Sequence, residues 1–87
     1  MKNQKPTIID VRTPEEFKGG NVPGSINIPM QQISLRLNEI KSLPQPIILC
    51  CASGNRSGQV MLFLKNNGIA CENGGSWATV NYNLQTA

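Results

Sequence analysis

One stretch decides the fold class of this chain: Ile47-Ile48-Leu49-Cys50-Cys51-Ala52-Ser53-Gly54-Asn55-Arg56-Ser57. Its first four residues are the most strongly apolar tetrapeptide in the sequence, as is typical of a central strand in a parallel sheet. The residues that follow are small and polar, and from Ser57 onward Val60, Met61 and Leu64 recur at helical spacing. The stretch therefore predicts a buried strand, a loop and a helix in direct succession.

The flanking segments repeat this alternation of strand and helix. Apolar runs predict three further strands, at residues 7–11, 26–28 and 69–71. Caps and apolar periodicity predict three further helices, at residues 13–18, 30–41 and 76–84. Glycines predict turns at Gly19-Gly20 and Gly74-Gly75, and a helix stop at Gly68. We therefore expect an α/β chain with a small parallel β-sheet flanked by helices.

Length and charge limit the function classes. The chain has 87 residues, which predicts a single domain over residues 1–87 with one modest core and one shallow site. Eight Lys and Arg against five Asp and Glu give a formal charge of +3, and the basic residues are scattered singly. This favours weak attraction of anions and indicates no nucleic-acid partner.

The sequence contains no histidine. This excludes Cys/His dyads, Ser/His/Asp triads, histidine-based zinc sites and histidine as an acid or base. We expect no cofactor and no metal site, and any chemistry must proceed without imidazole.

The cysteine count argues for free thiols. Cys50, Cys51 and Cys71 are odd in number and form no Cys-x-x-Cys pair, so neither a disulfide framework nor a zinc ribbon is expected. The first residues lack the apolar core of a signal peptide, and no apolar run approaches the ~20 residues of a membrane span. We therefore expect a soluble, cytoplasmic, monomeric protein without a membrane partner.

The loop after the central strand is the candidate site. Ligands of parallel α/β sheets bind beyond the carboxyl ends of the strands, where loop N–H groups and a helix N-terminus converge. Cys51 begins this loop and is predicted to be the nucleophile, exposed at the base of an anion-binding nest formed by Ala52, Ser53, Gly54, Asn55 and Arg56. The nest and the helix dipole should lower the thiol pKa below its reference of about 8.5.

Strand alternation separates the adjacent cysteines. Cys50 belongs to the apolar run and is predicted to be an inert core residue, and Cys71 is likewise interpreted as a small buried hydrophobe. Only Cys51 therefore has a position suited to chemistry.

Three patches in order carry a resemblance to a known family: Asp10-Val11-Arg12-Thr13-Pro14-Glu15-Glu16-Phe17, Gly20-Asn21-Val22-Pro23-Gly24-Ser25-Ile26-Asn27-Ile28-Pro29 and Cys51-Ala52-Ser53-Gly54-Asn55-Arg56-Ser57. With Gly74-Gly75 these patches are distributed along most of the chain. In this order they resemble the motifs of rhodanese-type sulfurtransferase domains. The second patch departs from the family's Gly-His-Ile-Pro-Gly-Ala pattern at three positions.

The resemblance implies a mechanism and its residues. A cysteine at the position of Cys51 would take sulfur from a small anionic donor such as thiosulfate, forming a persulfide, and pass it to a thiol, cyanide or a protein thiol. Backbone N–H groups of residues 52–56 would stabilise the persulfide or the donor, and the Arg56 guanidinium would close the rim. Asp10, Arg12 and Ser57 would support the site, with Asp10 as the ion-pair partner of Arg56.

Two alternatives stay open. Phosphatases and arsenate reductases of the same fold carry five residues between the cysteine and the arginine, whereas only four separate Cys51 from Arg56. The shorter loop favours sulfur transfer, and phosphoryl transfer also needs a general acid, for which no carboxylate has an obvious claim. The third reading is a non-catalytic interaction module, although inactive relatives typically lose the cysteine. Asp10 is also suited to capping the turn at Thr13, and Arg12 to being a surface charge.

Overall fold

Four parallel strands form the centre of the structure, a computed structural model that describes residues 6–86. The strands are β1 (Thr7–Asp10), β2 (Ile26–Asn27), β3 (Ile47–Cys51) and β4 (Cys71–Ser76). They lie in the order β2-β1-β3-β4, and all three neighbouring pairs are parallel. The predicted α/β fold with a parallel sheet is confirmed.

One α-helix follows each of these strands along the chain. The helices are α1 (Pro14–Lys18), α2 (Leu37–Lys41), α3 (Asn55–Asn66) and α4 (Trp77–Thr86). Thr13 and Glu16 cap α1 reciprocally, as the sequence predicts. α3 begins two residues before the predicted start because Gly54, with φ of +100°, supplies its N-cap.

The single helix predicted at residues 30–41 is wrong. The structure has a 3-10 turn at Met30–Gln32 and only the short helix α2 afterwards. In the first half, Gln32 N–H donates to Pro29 O and Ile33 N–H to Met30 O, which is the three-residue hydrogen-bond pattern. Because Met30 and Ile33 are three residues apart, their spacing suits a 3-10 turn as well as an α-helix.

The strand predicted at residues 69–71 and the turn at Gly74-Gly75 are also wrong, because β4 begins at Cys71 and runs through both glycines. The ladder to β3 shifts register between the Leu49 and Cys50 positions, which are paired with Asn73 and Gly75. A Cβ on Gly74 would lie 2.6 Å from a Val80 methyl carbon, and Gly75 has φ of +87°. The two glycines thus form an irregularity inside a strand.

The sheet carries one hydrophobic core on each face. The larger core includes Leu49 and Cys51 of β3 together with Leu64 of α3, and the smaller includes Cys50 with Val80 of α4. The two adjacent cysteines therefore lie on opposite faces, as strand alternation predicts.

The side of β1 on which strands are added changes between β2 and β3. β2 pairs with one edge of β1, and β3 then pairs with the opposite edge. Such a switch point leaves a crevice at the carboxyl ends of the two strands, here beyond Asp10 and Cys51. None of the helices described within residues 6–86 is long and apolar enough to cross a membrane.

Candidate active site

Cys51 is the last residue of β3 and lies beneath the loop that leads into α3. Gly54 N–H donates to Cys51 Sγ at 3.0 Å and Ser57 N–H donates at 3.5 Å, while Ser57 Oγ lies 3.3 Å from the same sulfur. The left-handed conformation of Gly54 turns the chain back over the strand end, which brings these donors to the sulfur. The site is built to stabilise negative charge on sulfur.

These hydrogen bonds change the acidity of the thiol. Burial by itself raises the pKa of Cys51, but the Ser57 hydroxyl and the N–H groups of Ser57, Gly54 and Ser53 outweigh it and lower the pKa to about 7. Burial raises the pKa of Cys50 to about 12, with a further contribution from the Asp10 charge, and burial also raises the pKa of Cys71. Cys51 is therefore the cysteine that carries a thiolate near neutral pH.

A pH titration of thiolate absorbance in the ultraviolet should show a single thiol ionising with a midpoint near pH 7. Because the thiolate is the deprotonated form, absorbance and alkylation rate should both rise with increasing pH through this midpoint. Cys51→Ser is the control, and it should lack the transition. A midpoint at or above about 8.5, the ordinary value for a thiol, would contradict the account.

The structure corrects the predicted exposure of Cys51, which is 0% exposed. The loop that delivers N–H groups to the sulfur also covers it, so the two properties arise from the same conformation. Ala52, Ser53 and Asn55 of the predicted nest are exposed. Ser57, predicted only as a supporting residue, contributes both a backbone and a side-chain contact to Sγ.

Asp10 does not pair with Arg56, contrary to the sequence prediction. Its carboxylate accepts hydrogen bonds from Arg12, with Arg12 Nη2 at 2.8 Å from Oδ2 and Arg12 Nε at 3.0 Å from Oδ1. The Arg12 backbone N–H also donates to Oδ1 at 3.0 Å. Arg12 lies only two residues away and satisfies the carboxylate with three donors, which leaves Arg56 to another partner.

Arg12 contacts several separate segments of the chain next to the end of β1. It is 4% exposed, and its guanidinium also donates to Gly20 O at 2.7 Å and to Glu16 O at 3.3 Å. The guanidinium lies over the ring of Trp77, 5.1 Å from its centroid. The buried Asp10–Arg12 pair thus joins the end of β1 to α1 and to the start of α4, which excludes the surface-charge reading of Arg12.

Arg56 pairs instead with Glu16, forty residues away. Arg56 Nη1 lies 2.8 Å from Glu16 Oε1 and Nη2 lies 3.0 Å from Oε2, a two-pronged contact. Hydrogen bonds from Arg56, followed by those from Thr13, lower the pKa of Glu16 to about 2. The sequence indicates only the capping role of Glu16, because nothing in a local pattern places it beside Arg56.

Asn73 is a second residue that the sequence prediction missed. Its side-chain oxygen lies 2.7 Å from Ser57 Oγ, whose single proton serves either this oxygen or the Cys51 sulfur. The same oxygen accepts from Gly75 N–H at 3.0 Å, and the side-chain nitrogen donates to Gly54 O at 3.0 Å. Asn73 therefore fastens β4 to both residues that contact the Cys51 sulfur. The Asn73-Gly74-Gly75 sequence is typical of a turn, so the sequence does not predict that Asn73 lies on a strand.

The geometry gives no sign of a metal centre. Among residues 6–86, no three Cys, Asp or Glu side chains lie close enough together to hold a metal ion. The loop presents a thiol with a lowered pKa, whose charge interacts with the Arg56 guanidinium.

Comparisons with known proteins identify what this arrangement is similar to. A family model described as "Rhodanese-like domain" matches residues 1–85. The "Uncharacterized protein YqhL" of Bacillus subtilis is 43% identical over 65 residues, which cover 75% of this chain and 51% of that protein. A protein of Allochromatium vinosum named "Sulfurtransferase" is 34% identical over 61 residues, covering 70% of this chain and 56% of the relative. The chain thus spans about half the length of these curated relatives.

A solved structure shares the architecture. The structure titled "rhodanese with anions from E. coli" has a TM-score of 0.77 and 30% sequence identity, covering 86% of this chain and 91% of that chain. The similarity includes the parallel sheet and its flanking helices.

Proposed function

Because the chain belongs to the rhodanese-like domain family, we propose that it is a sulfurtransferase whose nucleophile is Cys51. The observation that carries the proposal is the pair of N–H groups, from Gly54 and Ser57, directed at the Cys51 sulfur. Cys51 Sγ carries the negative charge before the first transfer and again after the second, so these donors stabilise both the attacking thiolate and the departing thiolate. Relatives with sulfurtransferase names support the reaction class.

In the first half-reaction, the Cys51 thiolate attacks the outer sulfur of a donor such as thiosulfate. A sulfur–sulfur bond forms to Cys51 Sγ while the sulfur–sulfur bond of thiosulfate breaks, and sulfite leaves with the bonding electron pair. No proton is transferred and no external oxidant is needed. The reaction therefore suits a chain that contains no histidine.

In the second half-reaction, cyanide, a small thiolate or a protein thiolate attacks the outer sulfur of the Cys51 persulfide. The bond to Cys51 Sγ breaks, and the cysteine leaves as a thiolate on the same N–H groups. A thiol with a pKa of about 7 is a better leaving group than an ordinary cysteine, because leaving improves as the thiol pKa falls.

The site is less suited to phosphoryl transfer. That reaction needs a proton donor for the leaving oxygen. Glu16, the carboxylate beside Arg56, stays ionised near neutral pH because its pKa is about 2. Asp10 is held by Arg12. The lowered pKa of the Cys51 thiol also favours a catalytic role over a non-catalytic module, in which an ordinary cysteine would suffice.

Formation of thiocyanate from thiosulfate and cyanide tests the proposal. Purified protein should catalyse the reaction, with Cys51→Ser as the inactive control. Folded wild-type protein that transfers no sulfur, from thiosulfate or from an organic persulfide, would contradict the proposal.

Arg56→Ala should raise the KM for thiosulfate by roughly tenfold with a smaller change in kcat. The substitution removes the cation at the rim and leaves the Glu16 carboxylate facing an anionic donor without its partner. Folding should change little, because both side chains are partly exposed and the pair is screened by solvent. Steady-state kinetics of both variants, with Arg56→Lys as the charge-retaining control, check this. Unchanged donor kinetics in Arg56→Ala would count against a role for Arg56.

A further inference from the structure

The cation expected to receive the sulfur donor is already occupied by a carboxylate of the same chain. Both terminal nitrogens of Arg56 contact Glu16, at 2.8 and 3.0 Å, so the fork that matches an anion is filled. The net charge of the pair is zero. A doubly charged donor therefore has to displace Glu16 or bind beside a neutralised arginine.

Glu16 is held in this position from its other side. Its Oε1 accepts from Thr13 N–H at 3.0 Å and from Thr13 Oγ1 at 3.2 Å, within the capping box of α1. Arg12, anchored on buried Asp10, donates to the Glu16 backbone oxygen at 3.3 Å. The Glu16 carboxylate is therefore held at the rim by contacts that do not depend on Arg56.

The pair is nevertheless accessible to a donor. The Arg56 and Glu16 side chains are 32% and 37% exposed. Because ion pairs in contact with water are weak, a ligand can replace Glu16 as the partner of Arg56. The competition from Glu16 lowers the affinity of that ligand for the site. The loss of affinity is largest for donors whose negative charge has to be neutralised by Arg56.

We propose that Glu16 is a specificity-determining residue that disfavours dianionic donors such as thiosulfate relative to organic persulfides, which bring a single charge. This inference rests on the proposed sulfurtransferase function. Glu16 remains charged throughout the pH range in which Cys51 is a thiolate, so the selection operates whenever the nucleophile is active.

Substitution of Glu16 by glutamine removes the negative charge of the side chain and leaves its role in the cap of α1 in place. Glutamine has the same shape and serves at the third helical position of a capping box, so α1 should keep its cap. The matched control is Glu15→Gln. Glu15 is the neighbouring exposed residue on the same helix, lies outside the Arg56 pair, and loses the same formal charge on substitution.

The experiment measures the second-order rate of sulfur loading onto Cys51 by intact-protein mass, with thiosulfate and with an alkyl persulfide as donors. Glu16→Gln should raise the thiosulfate rate constant by roughly tenfold, and raise the alkyl persulfide value much less. Glu15→Gln should stay within about twofold of wild type for both donors, because the Glu15 side chain is exposed and its charge is screened by solvent. Circular dichroism verifies that all three proteins are folded.

Three results would overturn the inference: a thiosulfate rate that is unchanged or lower in Glu16→Gln, an equal gain for both donors, or the same gain in Glu15→Gln. Failure of both donors to load any of the three proteins would be a different outcome, since it would contradict the sulfurtransferase proposal on which the inference rests.

Discussion

Cys51→Ser should abolish sulfur transfer, lowering the rate by at least roughly a thousandfold, as expected when a covalent nucleophile is lost. A serine hydroxyl ionises far less readily than this thiol, and the chain has no histidine to activate it. The N–H groups of Gly54 and Ser57 would then face a neutral oxygen that forms no persulfide. Thiocyanate production from thiosulfate and cyanide measures the loss.

Cys50→Ser is the matched control, since it changes the adjacent residue of the same strand in the same way. Cys50 is 0% exposed and belongs to the core on the other face of the sheet. The new buried hydroxyl should lower the free energy of unfolding by about 1–3 kcal/mol while the folded protein keeps its activity. Equal loss of activity in both folded variants would contradict the assignment of Cys51.

The largest expected effect on stability comes from Asp10→Ala. Asp10 and Arg12 form an ion pair with side-chain exposures of 0% and 5%. Removing one partner of a buried pair typically costs about 3–5 kcal/mol, because the other charge stays buried without its counter-charge. Against a total stability of about 5–15 kcal/mol for a domain, this loss should leave the variant marginally folded.

Urea unfolding followed by circular dichroism measures this loss. Asp10→Asn should be less affected than Asp10→Ala, because the amide oxygen still accepts from Arg12 while the charge is absent. The control is Glu39→Ala, which breaks the exposed Arg36–Glu39 pair and should leave the unfolding midpoint nearly unchanged. Similar midpoints for the Asp10 and Glu39 alanine variants would contradict a structural role for the buried pair.

The parts of the site that local sequence predicts are those formed by neighbours in the chain. The strand, loop and helix around Cys51 follow from an abrupt change from apolar to small polar residues. The opposite positions of Cys50 and Cys51 follow from the two-residue period of a strand. The cap of α1 follows from Thr13 and Glu16, which are three residues apart.

The parts that the sequence does not predict depend on which distant side chains meet. The pairing of Asp10 with Arg56 fails because Arg12 reaches the same carboxylate from two residues away. The pairing of Arg56 with Glu16 depends on how α1 lies against the start of α3, which no local pattern encodes. The contact of Asn73 with Ser57 is not predicted, because the two glycines after Asn73 are typical of turns. In the structure these glycines form an irregularity in a strand.

The mass of the intact protein after incubation with thiosulfate tests the central claim most directly. A gain of one sulfur atom that a thiol reductant reverses, and that Cys51→Ser lacks while Cys50→Ser retains it, is the predicted result. An unchanged mass in folded protein with a free Cys51 thiol, after exposure to thiosulfate and then to an organic persulfide, would contradict the persulfide mechanism.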